Sequence, residues 1–444
     1  MQTSPTAAGR SGSARPLAAG PALTVGLALA LALAGVACRG SGESGTDDLE
    51  GARAATSTGL SFQQRRIVDD AKLWWALTHG DVDGDGLSDF VYIDNNASGG
   101  QLAYRRARRD TGLWEKVVIA ETPPTGGLFA AGDLEAGDID GDGDTDVLAV
   151  KHPGEWTDAT APAELFWYER HSKSDRWEPH AIGTAKGAVK DMNLGDFDGD
   201  GLLDLAVMTF DEENVRIHRH NADGTWTQVA DLTLAGIHEG MDVGDLDGDG
   251  DLDVAANGYV FANPGGDLTA EWDVTSIDEQ WHNQTAHRDE WSLNATKTFV
   301  TDLDGDGANE IFMSHSENAG FPVNYYTRSG DAWTPTTILD SLPAAHTLMV
   351  YDMDLDGDKD VVTGVNRGRA VNLERGYDAA RPGDFPVFVL VNDGSNERFE
   401  PHVIAEGGIY NGRVVDYDGD GDMDLFRYPE HQAERLYLLE NMAR

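Results

Sequence analysis

The chain has 444 residues, enough for two or three ordinary domains or one large repeat domain. Its 78 acidic against 33 basic residues leave a formal charge of −45, a surface that repels nucleic acid and anionic lipid and so excludes both as partners. A hydrophobic share of 40%, with 11 Trp and 12 Tyr, provides for a packed core and excludes wholesale disorder.

The first element is a targeting segment, residues 1–38. Arg10 and Arg15 precede an apolar run from Leu17 to Ala37, which ends in small residues at Cys38, the sole cysteine. This is the layout of a secretory signal peptide. The stretch Gly35-Val36-Ala37-Cys38 resembles the lipobox of bacterial lipoproteins, with Gly35 where that motif has Leu, Val or Ile. The resemblance implies lipidation at Cys38 and a place in the bacterial cell envelope, periplasmic or surface-exposed, with the membrane met only through the anchor. An exported domain left without a disulfide needs another staple, and metal would serve. Residues 39–58 are small and polar with no periodicity and read as a flexible tether.

From residue 59 on, one motif dominates. DVDGDGLSD begins at Asp81 and returns in variants from Asp138, Asp196, Asp245, Asp302, Asp352 and Asp416, at intervals of 49 to 64 residues. That period points to a propeller or solenoid. The first six motifs are each followed by an aromatic with an aliphatic residue five or six positions on: Trp114/Ile119, Trp177/Ile182, Trp226/Leu232, Trp272/Ile277, Trp333/Ile338 and Phe399/Ile404. The seventh copy, Phe62/Ile67, stands before the first motif rather than after the last. An open solenoid has no use for that permutation. A closed ring does, because the N-terminal strand completes the last blade and removes its open edge. The expectation is an all-β chain, a monomeric seven-bladed β-propeller whose N-terminal strand closes the last blade. In the second unit the four strands read as Leu128–Gly137, Asp146–Val150, Glu164–Glu169 and Trp177–Ile182.

Within the motif, acids stand at positions 1, 3, 5 and 9 and Gly at 6. Alternating carboxylates in a tight turn converge on one point, and the carbonyl of position 7 faces the same way. Oxygen ligands at this density suit calcium, which takes six to eight oxygens at about 2.4 Å. The candidate ligands are Asp81, Asp83, Asp85, Leu87 and Asp89; then Asp138, Asp140, Asp142, Asp144 and Asp146; then Asp196, Asp198, Asp200, Leu202 and Asp204. They continue with Asp245, Asp247, Asp249, Asp251 and Asp253; Asp302, Asp304, Asp306, Ala308 and Glu310; Asp352, Asp354, Asp356, Asp358 and Asp360; and Asp416, Asp418, Asp420, Asp422 and Asp424. An EF-hand is excluded, since its last ligand falls at position 12 between helices, whereas position 9 here opens a β-run. Up to seven structural calcium ions are expected, with altered affinity where Glu310 and Leu355 depart from the pattern.

These loops resemble those of the FG-GAP/VCBS-repeat propellers over residues 59–444, without the literal Phe-Gly…Gly-Ala-Pro signature. The family includes the calcium-bearing blades of integrin α-subunit heads, fungal lectins and propellers of some polysaccharide lyases. What the resemblance implies is recognition of a glycan or an extracellular protein, with an adhesin-type scaffold or a polysaccharide lyase or hydrolase as alternatives.

A ligand site is sought on the face opposite the acidic loops. Six residues before each first Asp stand Trp75, Gly132, Lys190, Glu239, Thr296, His346 and Tyr410. Of these, Trp75, Lys190, Glu239, His346 and Tyr410 are the candidate binding residues, offering stacking and charge to a sugar. Two long insertions share that side, one with Trp281, His282, His287, Arg288 and Trp291, the other with Arg367, Arg369, Arg375 and Arg381. No catalytic residue is assigned: His238-Glu239 lacks the second histidine of a zinc-protease helix.

Overall fold

The computed structural model describes residues 53–55, 60–73, 75–94, 100–152, 162–210, 213–284, 292–330, 332–373 and 377–443. Cys38 and the signal segment, most of the tether, and His287, Arg288, Trp291 and Arg375 lie outside them.

Seven antiparallel sheets form a seven-bladed β-propeller. In chain order the innermost strands are Leu77–Gly80, Glu135–Gly137, Val189–Gly195, Met241–Gly244, Thr296–Thr301, Leu348–Tyr351 and Arg413–Val415. Blades one to six each run outward through four consecutive strands. The seventh has only three from the C-terminal end, and Ser61–Val68 is added beside Leu436–Asn441, pairing Phe62 with Asn441 and Val68 with Leu436. Arg53–Ala55, inside the segment read as tether, pairs on the outside of Ser61–Val68 as a fifth strand.

Composition explains the radial order. Second strands such as Asp89–Asp94 and Asp204–Thr209 are buried at every position, because sheets cover both of their faces, and they read as continuous apolar runs. Outer strands such as Phe399–Ala405 alternate between buried and exposed. In three blades the recurring aromatic that opens the outer strand is a wedge against the neighbouring blade. Trp114 meets Phe426 of blade seven edge-on at 5.6 Å, Trp272 meets Phe197 of blade three, and Phe399 meets Tyr325 of blade five.

One strand is shorter than its sequence pattern. Of Leu128–Gly137 only Glu135–Gly137 is strand, because Gly132 leaves the sheet and donates its N–H to Val189 O of the next blade at 2.8 Å. A Cβ on Gly132 would lie 2.5 Å from Lys190 O, so this close approach needs glycine.

The acidic loops join the first strand of each blade to the second. Positions 4 and 6 have positive φ in all seven, and at position 4 of the sixth loop this falls on Leu355, at +62°. A left-handed leucine costs roughly 1–2 kcal/mol, partly offset by the chain freedom that glycine adds when unfolded. Leu355→Gly is therefore expected to stabilise the domain by about 0.5 kcal/mol in denaturant unfolding; a clear loss of stability would count against this reading of the loop.

Candidate functional site

The seven loops share one hydrogen-bond pattern. The first Asp accepts the N–H of the sixth residue in every copy, from Gly86 to Asp81 through Gly421 to Asp416, at 2.9–3.1 Å. The fifth-position Asp accepts the N–H of the seventh residue at 2.8–3.2 Å, also in every copy. A carboxylate has about four lone-pair positions, so these bonds orient the acids and leave oxygens free for an ion.

The ninth position does a second job. Asp89, Asp146, Asp204, Asp253, Glu310, Asp360 and Asp424 are buried. In six blades this carboxylate also accepts an N–H from the end of the third strand, as Ala107 donates to Asp89 and Asn441 to Asp424, at 2.7–2.9 Å. Burial pushes the Asp89 and Asp424 carboxyls up to about 8, with nearby carboxylates of the same loop adding to the rise. A bound dication relieves both causes at once. Oxygens of Asp138, Asp140 and Asp146, and likewise of Asp196, Asp198 and Asp204 and of Asp245, Asp247 and Asp253, lie within 4.8 Å of one another. The loops thus have the donor chemistry and the convergence that a calcium ion needs.

Loops one and seven differ from the rest. Arg106 Nε lies 2.7 Å from Asp83 Oδ2, and Arg109 Nη1 2.7 Å from Asp418 Oδ2, so an arginine already sits on the third-position carboxylate.

Loops also hold neighbouring blades. The carbonyl of the second residue accepts a bond from the next blade at Val82 (from Arg170), Phe197 (from Asn263), Leu246 (from Arg328) and Met353 (from Asn441), at 2.8–3.1 Å. Across the closure, Ser88 N donates to Tyr417 O at 2.8 Å.

The inner strands enclose a polar channel with a cavity of about 280 Å³, lined from all seven blades by residues including Thr78, Asp133, Asp191, Asp242, Lys297, Tyr351 and Arg413. Three of its acids tie blades together. Asp133 pairs with Arg413 at 3.0 Å, Asp191 accepts Gly240 N at 2.7 Å, and Asp242 accepts Val300 N at 2.7 Å. Burial raises Asp133 to about 6 and Asp242 to about 7.

At the channel mouth opposite the loops, four of the five candidate binding residues come together. His346 Nε2 lies 3.2 Å from Glu239 Oε1, Lys190 Nζ lies 3.2 Å from Glu239 Oε2, and the His346 and Tyr410 rings are 4.1 Å apart. Glu239, His346 and Tyr410 are each 1% exposed, so they form a buried polar cluster rather than an open ring. Trp75 stands at the edge, partly exposed, its ring 5.8 Å edge-on from His431, which in turn contacts Tyr410. Burial alone would raise Glu239, but Lys190, His346 and Lys297 outweigh it and hold the carboxyl well below its usual range. Burial would likewise lower Lys190, and the charges of Glu239 and Asp191 override it upward.

Two members of the cluster were not singled out from sequence as binding residues. Glu317 follows the second strand of blade five, Glu310–His315, and Lys297 sits on the first strand of the same blade. Glu317 Oε1 lies 3.3 Å from His346 Nε2, and Arg369 Nε 3.2 Å from Glu317 Oε2. The signal for Glu317 is topological: a second strand runs back from the acidic loop, so an acid just beyond its end reaches the mouth.

The described residues of the two insertions serve mostly as structure. Trp281 is fully buried and donates Nε1–H to Tyr326 Oη at 2.7 Å, and His282 stacks on Tyr259 at 3.8 Å. Arg369 is bound to Glu317, and Arg381 lies 3.3 Å from Asp378 and 3.4 Å from Asp384.

Ring and loops together define a seven-bladed propeller of repeated acidic turns. Residues 59–149 and 196–256 match the FG-GAP-like repeat family. No curated protein matches the chain. Among solved structures, it is similar to BBS1N in its complex with ARL6DN (11% identity, TM-score 0.48, covering 85% of this chain and 94% of that one). It is also similar to the Bacillus licheniformis rhamnogalacturonan lyase PL11 (15%, TM-score 0.44, 88% and 74%) and to the V. cholerae biofilm matrix protein Bap1 (11%, TM-score 0.44, 84% and 88%).

Proposed function

We propose that the chain is an exported, lipid-anchored binding module, a propeller held rigid by calcium in its seven loops, which recognises an extracellular glycan at the channel mouth. The observation that carries the reading is the contrast between its two faces. One face repeats a single loop seven times, with the same carboxylate-to-amide bonds in each copy. The equivalent positions on the other face, Trp75, Gly132, Lys190, Glu239, Thr296, His346 and Tyr410, are all different. A scaffold repeats; a recognition surface does not need to, and propeller loops on a rigid frame are where binding residues collect.

The chemistry suits a polyhydroxylated ligand. Trp75 offers an aromatic ring at the edge of the mouth, and the carboxylates lining the channel are acceptors suited to sugar hydroxyls. The bound calcium would contribute rigidity, with the loop carboxylates as its ligands and no part in contact with the sugar.

The test is a screen of the calcium-loaded chain against neutral and acidic polysaccharides. A hit is expected that weakens at least tenfold in Trp75→Ala, on the order of 1.4 kcal/mol. A hit unaffected by Trp75→Ala would move the site off the mouth. A blank screen with folded protein would overturn the glycan reading in favour of a protein ligand.

A further inference from the structure

We propose that Glu239, Glu317 and His346 bind one divalent transition ion of the zinc class at the channel mouth, a site separate from the seven acidic loops. One ligand atom from each of the three lies within 4.8 Å of the others. His346 Nε2 is 3.2 Å from Glu239 Oε1 and 3.3 Å from Glu317 Oε1. Neither contact has hydrogen-bond geometry, and Glu239 Oε1 and both His346 nitrogens are buried without a hydrogen-bond partner among the described residues. Buried polar atoms left in this way are rare and ask for a partner.

The spacing states what the partner is. Around an ion with bonds of about 2.0 Å, ligand atoms at the tetrahedral angle stand roughly 3.3 Å apart, the separation found between His346 Nε2 and each of the two carboxylate oxygens. One imidazole nitrogen with two carboxylate oxygens suits a zinc-class ion, whereas calcium takes six to eight oxygens. Lys190 Nζ, 3.2 Å from Glu239 Oε2, orients that carboxylate as a metal site needs, and Arg369 Nε donates to the Glu317 backbone carbonyl at 2.7 Å, which fixes the chain there. Lys297 Nζ, 3.6 Å from Glu239 Oε1, has Asp191 as an alternative partner at 3.8 Å and can yield the inner oxygen. His346 also lines the channel cavity, the side from which a water or a bound molecule would supply the remaining ligand. The inference does not rest on the glycan reading.

The probe is Co²⁺, titrated into the full chain in millimolar calcium so that the acidic loops are saturated. One equivalent with the strong visible absorption of a four-coordinate site is expected, displaced one-for-one by Zn²⁺. His346→Ala and Glu317→Gln should each weaken binding at least a hundredfold with the thermal transition retained, while Cys38→Ala leaves it unchanged. Absence of a calcium-resistant equivalent, or wild-type binding in both variants, overturns the proposal. Should either variant fail to fold, X-ray absorption at the zinc edge of the wild type decides: a nitrogen and oxygen shell supports the site, a sulfur ligand contradicts it.

Discussion

Chelation of calcium from the full chain is expected to lower its melting temperature by about 20 °C or more, the loss of several bound ions at once. The size follows from linkage. At free calcium a hundredfold above its dissociation constant, each site adds about 2.7 kcal/mol, and a domain this large shifts by roughly 1.2 °C per kcal/mol. The seven loops together then reach that figure. Coupling is built in, because carbonyls of the loops at Val82, Phe197, Leu246 and Met353 accept bonds from the adjacent blade. A loop that spreads under its own carboxylate repulsion releases its neighbour as well. Magnesium should rescue poorly, since it prefers near-octahedral sites that keep several waters. A transition that moves by less than about 3 °C in chelator would rule out structural calcium as the staple.

The second large effect is at the closure. Removing residues 1–68 takes away Ser61–Val68, and cooperative unfolding should disappear with it. That strand buries Phe62, Ile67 and Val68 and pairs along the whole of Leu436–Asn441. Arg65 spans the seam, donating to Tyr417 Oη at 2.7 Å and to Asp110 O in blade one. Without it the last blade is one strand short, and Leu436–Asn441 becomes its unpaired outer edge. A milder version is Ile67→Asp, which buries an unpaired charge and is expected to cost about 4 kcal/mol or more in denaturant unfolding. Cooperative melting of the truncated chain at the wild-type temperature would contradict the closure.

Much of this architecture was legible because it repeats. A ninth-position acid before a run such as Phe90-Val91-Tyr92-Ile93 marks a turn feeding a doubly buried strand, and seven copies in register leave little room for another fold. The displaced Phe62/Ile67 pair marks the closure, where Ser61–Val68 pairs with Leu436–Asn441. Position counting back from the loops also placed Lys190, Glu239, His346 and Tyr410 at one level of the ring, and there they touch. Their burial was not legible. It depends on what covers them, and the cover comes from turns after second strands, at Glu317 and His431, whose spacing does not repeat. The early end of the second unit's first strand was hidden for a related reason: Gly132 bonds to the next blade, and a pattern within one blade cannot show a partner in another. Trp281 looked like a ligand-loop aromatic because it sits in an insertion, yet it fills the core between blades four and five.

The most direct test of the account is the number of calcium ions the full chain holds at equilibrium. Seven are expected at saturation, with the two weakest in loops one and seven, where Arg106 and Arg109 already pair with Asp83 and Asp418. Asp83→Asn and Asp418→Asn should therefore change only the weak pair. A chain that saturates at fewer than five ions would contradict the account, because a ring of seven alike loops would then be held together by something other than the metal.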